Sequence, residues 1–110
     1  MLIIEMKASG SRVADVNSEA WAKNQIAMYK ELHADLPNED MHIKIANGVL
    51  LAAFRVLIKE GVIDHKQVKI LFNGDLIDID KNGTLRYYPV DFDMVLEKYL
   101  YRLIDLPKNK

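Results

Sequence analysis

The chain contains no cysteine, which excludes disulfides and thiolate metal centres and suits an intracellular setting. Neither sign of charge dominates: 15 basic and 16 acidic side chains are interspersed and leave a formal net charge of -1. No block of Lys and Arg marks a nucleic-acid footprint, so no nucleic-acid partner is expected. Glycine is scarce, and none of the five falls in a GxxxxGK[ST], GxGxxG or GxSxG pattern. The sequence therefore offers no phosphate loop, dinucleotide fingerprint or nucleophile elbow, and no cofactor is expected. The three prolines, Pro37, Pro89 and Pro107, each interrupt or end an apolar pattern. The longest apolar stretch, 41–58, is broken by His42, Lys44, Asn47, Gly48 and Arg55. A membrane span needs about 20 mostly apolar residues, so none is expected. Met1-Leu2-Ile3-Ile4 meets Glu5 at once and lacks a basic flank, unlike a signal peptide. These observations together point to a soluble cytoplasmic protein.

Half of the residues are hydrophobic. One domain over 1–110 with a sizeable core is expected, 107–110 being a frayed tail. Met1 to Lys7 alternates like a half-buried strand. A loop follows, and Asn17 or Ser18 is placed to cap a helix reaching Leu36, with Trp21, Ile26, Met28, Tyr29, Leu32 and Leu36 along its apolar side. Residues 42–60 read as one helix that is hydrophobic nearly all round, closed by Gly61. Asn73-Gly74 and Asn82-Gly83 mark hairpin turns between strands 68–72, 76–79 and 85–88. A last helix, 91–106, carries Phe92, Val95, Leu96, Tyr99, Leu100, Leu103 and Ile104. The expected architecture is α+β in the order β-α-α-β-β-β-α. A small, mainly antiparallel sheet of three to four strands would pack on a buried central helix, with two further helices.

Asp78-Ile79-Asp80-Lys81-Asn82-Gly83 places oxygen donors at alternate positions before a glycine, like the first half of an EF-hand loop. Asp78, Asp80 and Asn82 are thus candidate ligands for a hard cation. The twelfth position, where a bidentate Glu should close the shell, is Pro89. An Asn-Gly hairpin flanked by solvated acids explains the same residues. His33, Asp35, Glu39, Asp40 and His42 cluster around one turn, but their spacing matches no named metal site. Glu5, in mid-strand, is either a buried carboxylate or a residue on a wet face. Arg55, within the apolar helix, either snorkels or anchors an acid.

From Ile45 the chain carries Ile45-Ala46-Asn47-Gly48, then Ala53-Phe54-Arg55-Val56-Leu57-Ile58-Lys59-Glu60-Gly61, then Val68-Lys69-Ile70-Leu71-Phe72. Ile79-Asp80-Lys81-Asn82-Gly83-Thr84-Leu85, Tyr88-Pro89 and Phe92-Asp93 follow. Over residues 45–93 this resembles the C-terminal part of ABC-type predicted ATPases, a group often linked to phage defence. That family has a Walker A loop, and this chain has none. The resemblance implies a shortened relative that cannot hydrolyse ATP by itself and that docks on, or mimics part of, a full-length ATPase.

The leading expectation is a small non-enzymatic protein-interaction module in a mobile-element or phage-defence context. It would self-associate as a homodimer through Val49, Ala53, Tyr99 and Leu103, or meet an unidentified protein partner. The alternative is a small-molecule-binding protein or enzyme. Its pocket would lie between sheet and helices, lined by Trp21, Tyr29, Tyr87 and Tyr99, and would carry Glu5 or Arg55.

Overall fold

A computed structural model describes residues 1–11, 15–46 and 48–87. Its elements are β1 (Leu2–Ser11), α1 (Asp15–Asp35), β2 (Met41–Ile45), α2 (Gly48–Lys59), a 3-10 turn (His65–Gln67), β3 (Val68–Phe72) and β4 (Asp75–Asp78). The mixed α/β class is the expected one. The order is not, because the region expected as one helix over 42–60 is two elements. Met41-His42-Ile43-Lys44-Ile45 alternates apolar and polar side chains with β-branched isoleucines, a pattern that suits a pleated strand. The 3.6-residue periodicity begins only after Gly48, which therefore opens α2 and does not interrupt it. The premise of a long rod without a wet side is thereby removed.

The four strands lie in the order β2-β1-β3-β4. β1 runs parallel to both β2 and β3, and only β3 and β4 are antiparallel. This corrects the expected antiparallel meander. Parallel neighbours require a crossover, and α1 and α2 supply the two that are needed. The turn between β3 and β4 has Asn73 at φ 50° and Gly74 at φ 85°, the paired positive values of a tight hairpin. Beyond β4, an Ile79–Leu85 bridge closes a second hairpin.

The strand side chains that point to one face form the core: Leu2, Ile4, Ile45, Val68, Ile70 and Ile77 are all buried. α1 brings Ala22, Ile26 and Tyr29 to them at helical spacing, and α2 brings Leu50, Leu51, Phe54, Leu57 and Ile58. Trp21 meets Phe54 edge-on at 6.1 Å, joining the two helices over the same face. α1 starts at Asp15, before the expected caps, so Asn17 and Ser18 lie in its first turn. Met28 and Leu36, expected on the apolar side, are exposed. α2 ends as the sequence implies. Gly61, at φ 78°, donates to Ile58 O at 3.0 Å, and Val62 donates to Leu57 O at 3.0 Å, the double closure of a left-handed C-cap. The expected helix 91–106, with the strand end at Tyr88, lies outside the described residues.

Candidate binding surface

The opposite face of the sheet carries the alternate side chains: Ile3, Glu5 and Lys7 from β1, His42 and Lys44 from β2, Lys69 and Leu71 from β3, and Leu76 and Asp78 from β4. Among the described residues no helix covers it. Register sets Leu71 directly opposite Leu76 and beside Glu5. Leu76 is 55 % exposed, and Ile3 and Leu71 are half-buried. Polar pairs flank this apolar strip. On one side His42 Nε2 lies 2.9 Å from Glu5 Oε1, and Lys7 Nζ lies 3.7 Å from Glu5 Oε2. On the other, Asp78 binds Lys69 through Oδ1, and Arg86 Nη1 stands 3.7 Å from its Oδ2. The Lys69 ammonium holds the Asp78 carboxyl below its ordinary value, first through its hydrogen bond and then through its charge. The face thus has four cations, Lys7, Lys44, Lys69 and Arg86, against two carboxylates, Glu5 and Asp78, on a chain of net charge -1.

At one end of the sheet, where β3 begins and β4 ends, a cleft of about 490 Å³ opens. The 3-10 turn gives it His65 and Lys66, β3 gives Val68 and Lys69, and the second hairpin gives Thr84 and Arg86, with Asp78, Ile79 and Asp80 between. Asp64 Oδ1 caps the 3-10 turn by accepting from the Lys66 N–H at 2.9 Å. His65 Nδ1 lies 3.1 Å from the Ile79 carbonyl oxygen. A carbonyl only accepts, so Nδ1 carries the proton, and Nε2 is the other ring nitrogen available to a ligand. Asp80 Oδ1 accepts from the N–H groups of Asn82 and Thr84 at 2.9 and 3.0 Å. Arg55 fastens this hairpin to α2 by donating from Nε to Gly83 O at 2.6 Å.

These positions answer the sequence expectations residue by residue. Glu5 lies on the uncovered face, paired with His42 and Lys7. Trp21 is half-buried between the helices, and Tyr29 is in the core on the other side of the sheet. Burial pushes the Tyr29 phenol up, and the nearby Asp40 carboxylate adds to this. Arg55 anchors a backbone carbonyl. Tyr87 is exposed at the end of the described chain. The structure therefore does not gather Glu5, Trp21, Tyr29, Arg55 and Tyr87 into one pocket, and Tyr99 lies outside the described residues. Of the expected interface, Ala53 is buried in the core and Val49 is half-buried, while Tyr99 and Leu103 lie outside the described residues. Asp78 and Asp80 are engaged by Lys69, Arg86 and the turn's own N–H groups, and Asn82 is a hairpin residue. Among the described residues no group of three or more His, Asp or Glu side chains could hold a metal ion. No helix among them is long and apolar enough to cross a membrane.

His65 reads from the sequence as a loop residue beside Asp64, and Lys66 and Lys69 carry no site signal there. They are separate in sequence from Arg86 and meet it only through the β3–β4 pairing; alternation along 68–72 was the one available signal. No protein-family model matches the chain, and neither a curated protein nor a solved structure matches it. Of the segments that carry the expected likeness to ABC-type ATPases, the described ones fall on the end of β2, α2, β3 and the second hairpin, and Tyr88-Pro89 and Phe92-Asp93 lie outside the described residues.

Proposed function

We propose that this chain is a small non-enzymatic protein-interaction module. Its docking surface is the uncovered sheet face, and its partner is a protein segment that presents carboxylates beside apolar side chains. The observation that carries this reading is a mostly parallel sheet whose helices, among the described residues, lie on only one side. Sheets built with βαβ crossovers ordinarily have both faces covered. The exposed strip of Ile3, Leu71 and Leu76 supplies apolar contact. The excess of cations around it favours an acidic partner and disfavours a second copy bearing the same excess. Glu5 pairs with His42 and Lys7, and Asp78 with Lys69 and Arg86, an arrangement suited to docking and not to proton transfer. The mobile-element or defence setting of this reading rests on the resemblance of residues 45–93 alone.

The test uses a fluorescent 18-residue amphipathic peptide of Leu and Glu, with a Leu/Lys peptide of the same pattern as control. The Leu/Glu peptide is expected to bind and to weaken as salt rises. Leu76→Ser is expected to reduce its affinity about tenfold, or about 1.4 kcal/mol. Equal binding of both peptides, or none, overturns the proposal. So does a homodimer in sedimentation equilibrium that Leu76→Ser dissolves, which would assign the face to a second copy. Overhauser contacts from Leu76 methyls to Val95, Leu96 or Leu100 in the free chain would assign it to the chain's own C-terminal segment, with the same consequence.

A further inference from the structure

The cleft at the β3–β4 end borders the docking surface, shares Lys69, Asp78 and Arg86 with it, and adds Lys66 and His65. Three cations border it, each from a different element: Lys66 from the 3-10 turn, Lys69 from β3, and Arg86 from beyond the second hairpin. Two carboxylates also line it. Asp80 is turned to its own hairpin, where Oδ1 accepts two backbone N–H groups. Asp78 serves Lys69 and Arg86 together. Lys66 makes no ion pair among the described residues. One positive charge therefore remains uncompensated, and Lys69 and Arg86 share a single counter-ion.

We propose that this cleft binds a small phosphate monoester, its phosphoryl oxygens taken by Lys66, Lys69 and Arg86 and its organic part held in the space beside them. Three cations that border one cleft from three elements match in number the three terminal oxygens of a phosphoryl group. A planar carboxylate is matched by a single Arg fork. The volume argues for an ester and not for the bare ion. Small-molecule sites occupy roughly 300–1,000 Å³, and about 490 Å³ leaves room beside the phosphoryl group. His65, with Nδ1 committed to the Ile79 carbonyl, adds Nε2 to the polar lining. Asp78 opposes a ligand that sits between Lys69 and Arg86, so the phosphoryl group is expected nearest Lys66.

The experiment is isothermal titration of the full chain with phenyl phosphate, inorganic phosphate and benzoate. Phenyl phosphate is expected to bind about tenfold tighter than either of the others. Lys66→Ala and Arg86→Ala alter exposed side chains, and circular dichroism checks that both variants stay folded. Each is expected to lower phenyl phosphate affinity about tenfold or more, the scale of one lost charged hydrogen bond. No heat at 10 mM phenyl phosphate (a ceiling of about -2.7 kcal/mol) overturns the proposal. Binding that both variants leave unchanged also overturns it, as does benzoate binding as tightly as phenyl phosphate. Lys66 lies off the sheet face, so Lys66→Ala is expected to leave Leu/Glu peptide affinity unaltered, and the two proposals fail separately.

Discussion

At Gly83 an added Cβ would stand 2.3 Å from the Arg55 carbonyl oxygen, and the residue's φ is 78°. Two independent constraints therefore meet there: a left-handed backbone and a close approach to α2. Gly74 has the same handedness, at φ 85°, but nothing within 4 Å of its Cβ position. Gly74→Ala is expected to cost about 1–2 kcal/mol for the backbone alone. Gly83→Ala is expected to cost at least about 1 kcal/mol more, because helix backbone cannot give way. Urea midpoints measured at unchanged m-value separate the two effects. Tyr29 poses a different question. Its hydroxyl is buried without a hydrogen-bond partner among the described residues, and its pKa is raised. A phenol whose folded pKa exceeds its unfolded value of about 10 destabilises the fold as pH rises through that window. Stability is thus expected to fall as pH rises above about 10, and Tyr29→Phe is expected to remove part of that fall. Denaturant titrations of both proteins at pH 9 and pH 11 check this.

Among the elements, the ones with a strong local signal were legible in the sequence. Gly61 closes α2, and Asn73-Gly74 and Asn82-Gly83 make turns, because each needs a backbone conformation that few residues adopt. The boundary between β2 and α2 was hidden. Ile43, Ile45, Val49 and Leu50 form one apolar run, and the high density of apolar residues after Gly48 masks the two-residue alternation before it. Parallel pairing of β1 with β2 and β3 joins segments distant in sequence and leaves no turn signature. Of the site, Glu5 and Asp78 were visible as charged residues in strands. Their pairing with His42 and Lys69 was not, since strand register alone brings these residues together. Amide exchange tests the strand directly. Met41 N donates to Met1 O at 2.9 Å, so alternate amides of this edge strand point at β1. Met41, Ile43 and Ile45 are expected to exchange slowly and His42 and Lys44 rapidly, whereas a helix over 42–60 would protect consecutive amides.

At the scale of the whole molecule, the described residues are arranged asymmetrically about the sheet. One side holds α1, α2 and a single continuous apolar core. The other presents a short apolar strip between two sets of ion pairs, with cations in excess. Acids and bases are nearly balanced over the full sequence, but the described residues of this face carry more cations than carboxylates. The open face and the adjoining cleft are lined by different residues, apart from Lys69, Asp78 and Arg86 at their border. An acidic partner on the face and a phosphorylated ligand in the cleft would compete for those three groups. The most direct measurement of the central claim is a methyl and amide shift map of the labelled chain titrated with the Leu/Glu peptide. The account predicts changes concentrated at Ile3, Lys44, Leu71 and Leu76, with Trp21 and Phe54 on the helical side unmoved. Changes confined to the helical side, or an unchanged spectrum, would contradict it.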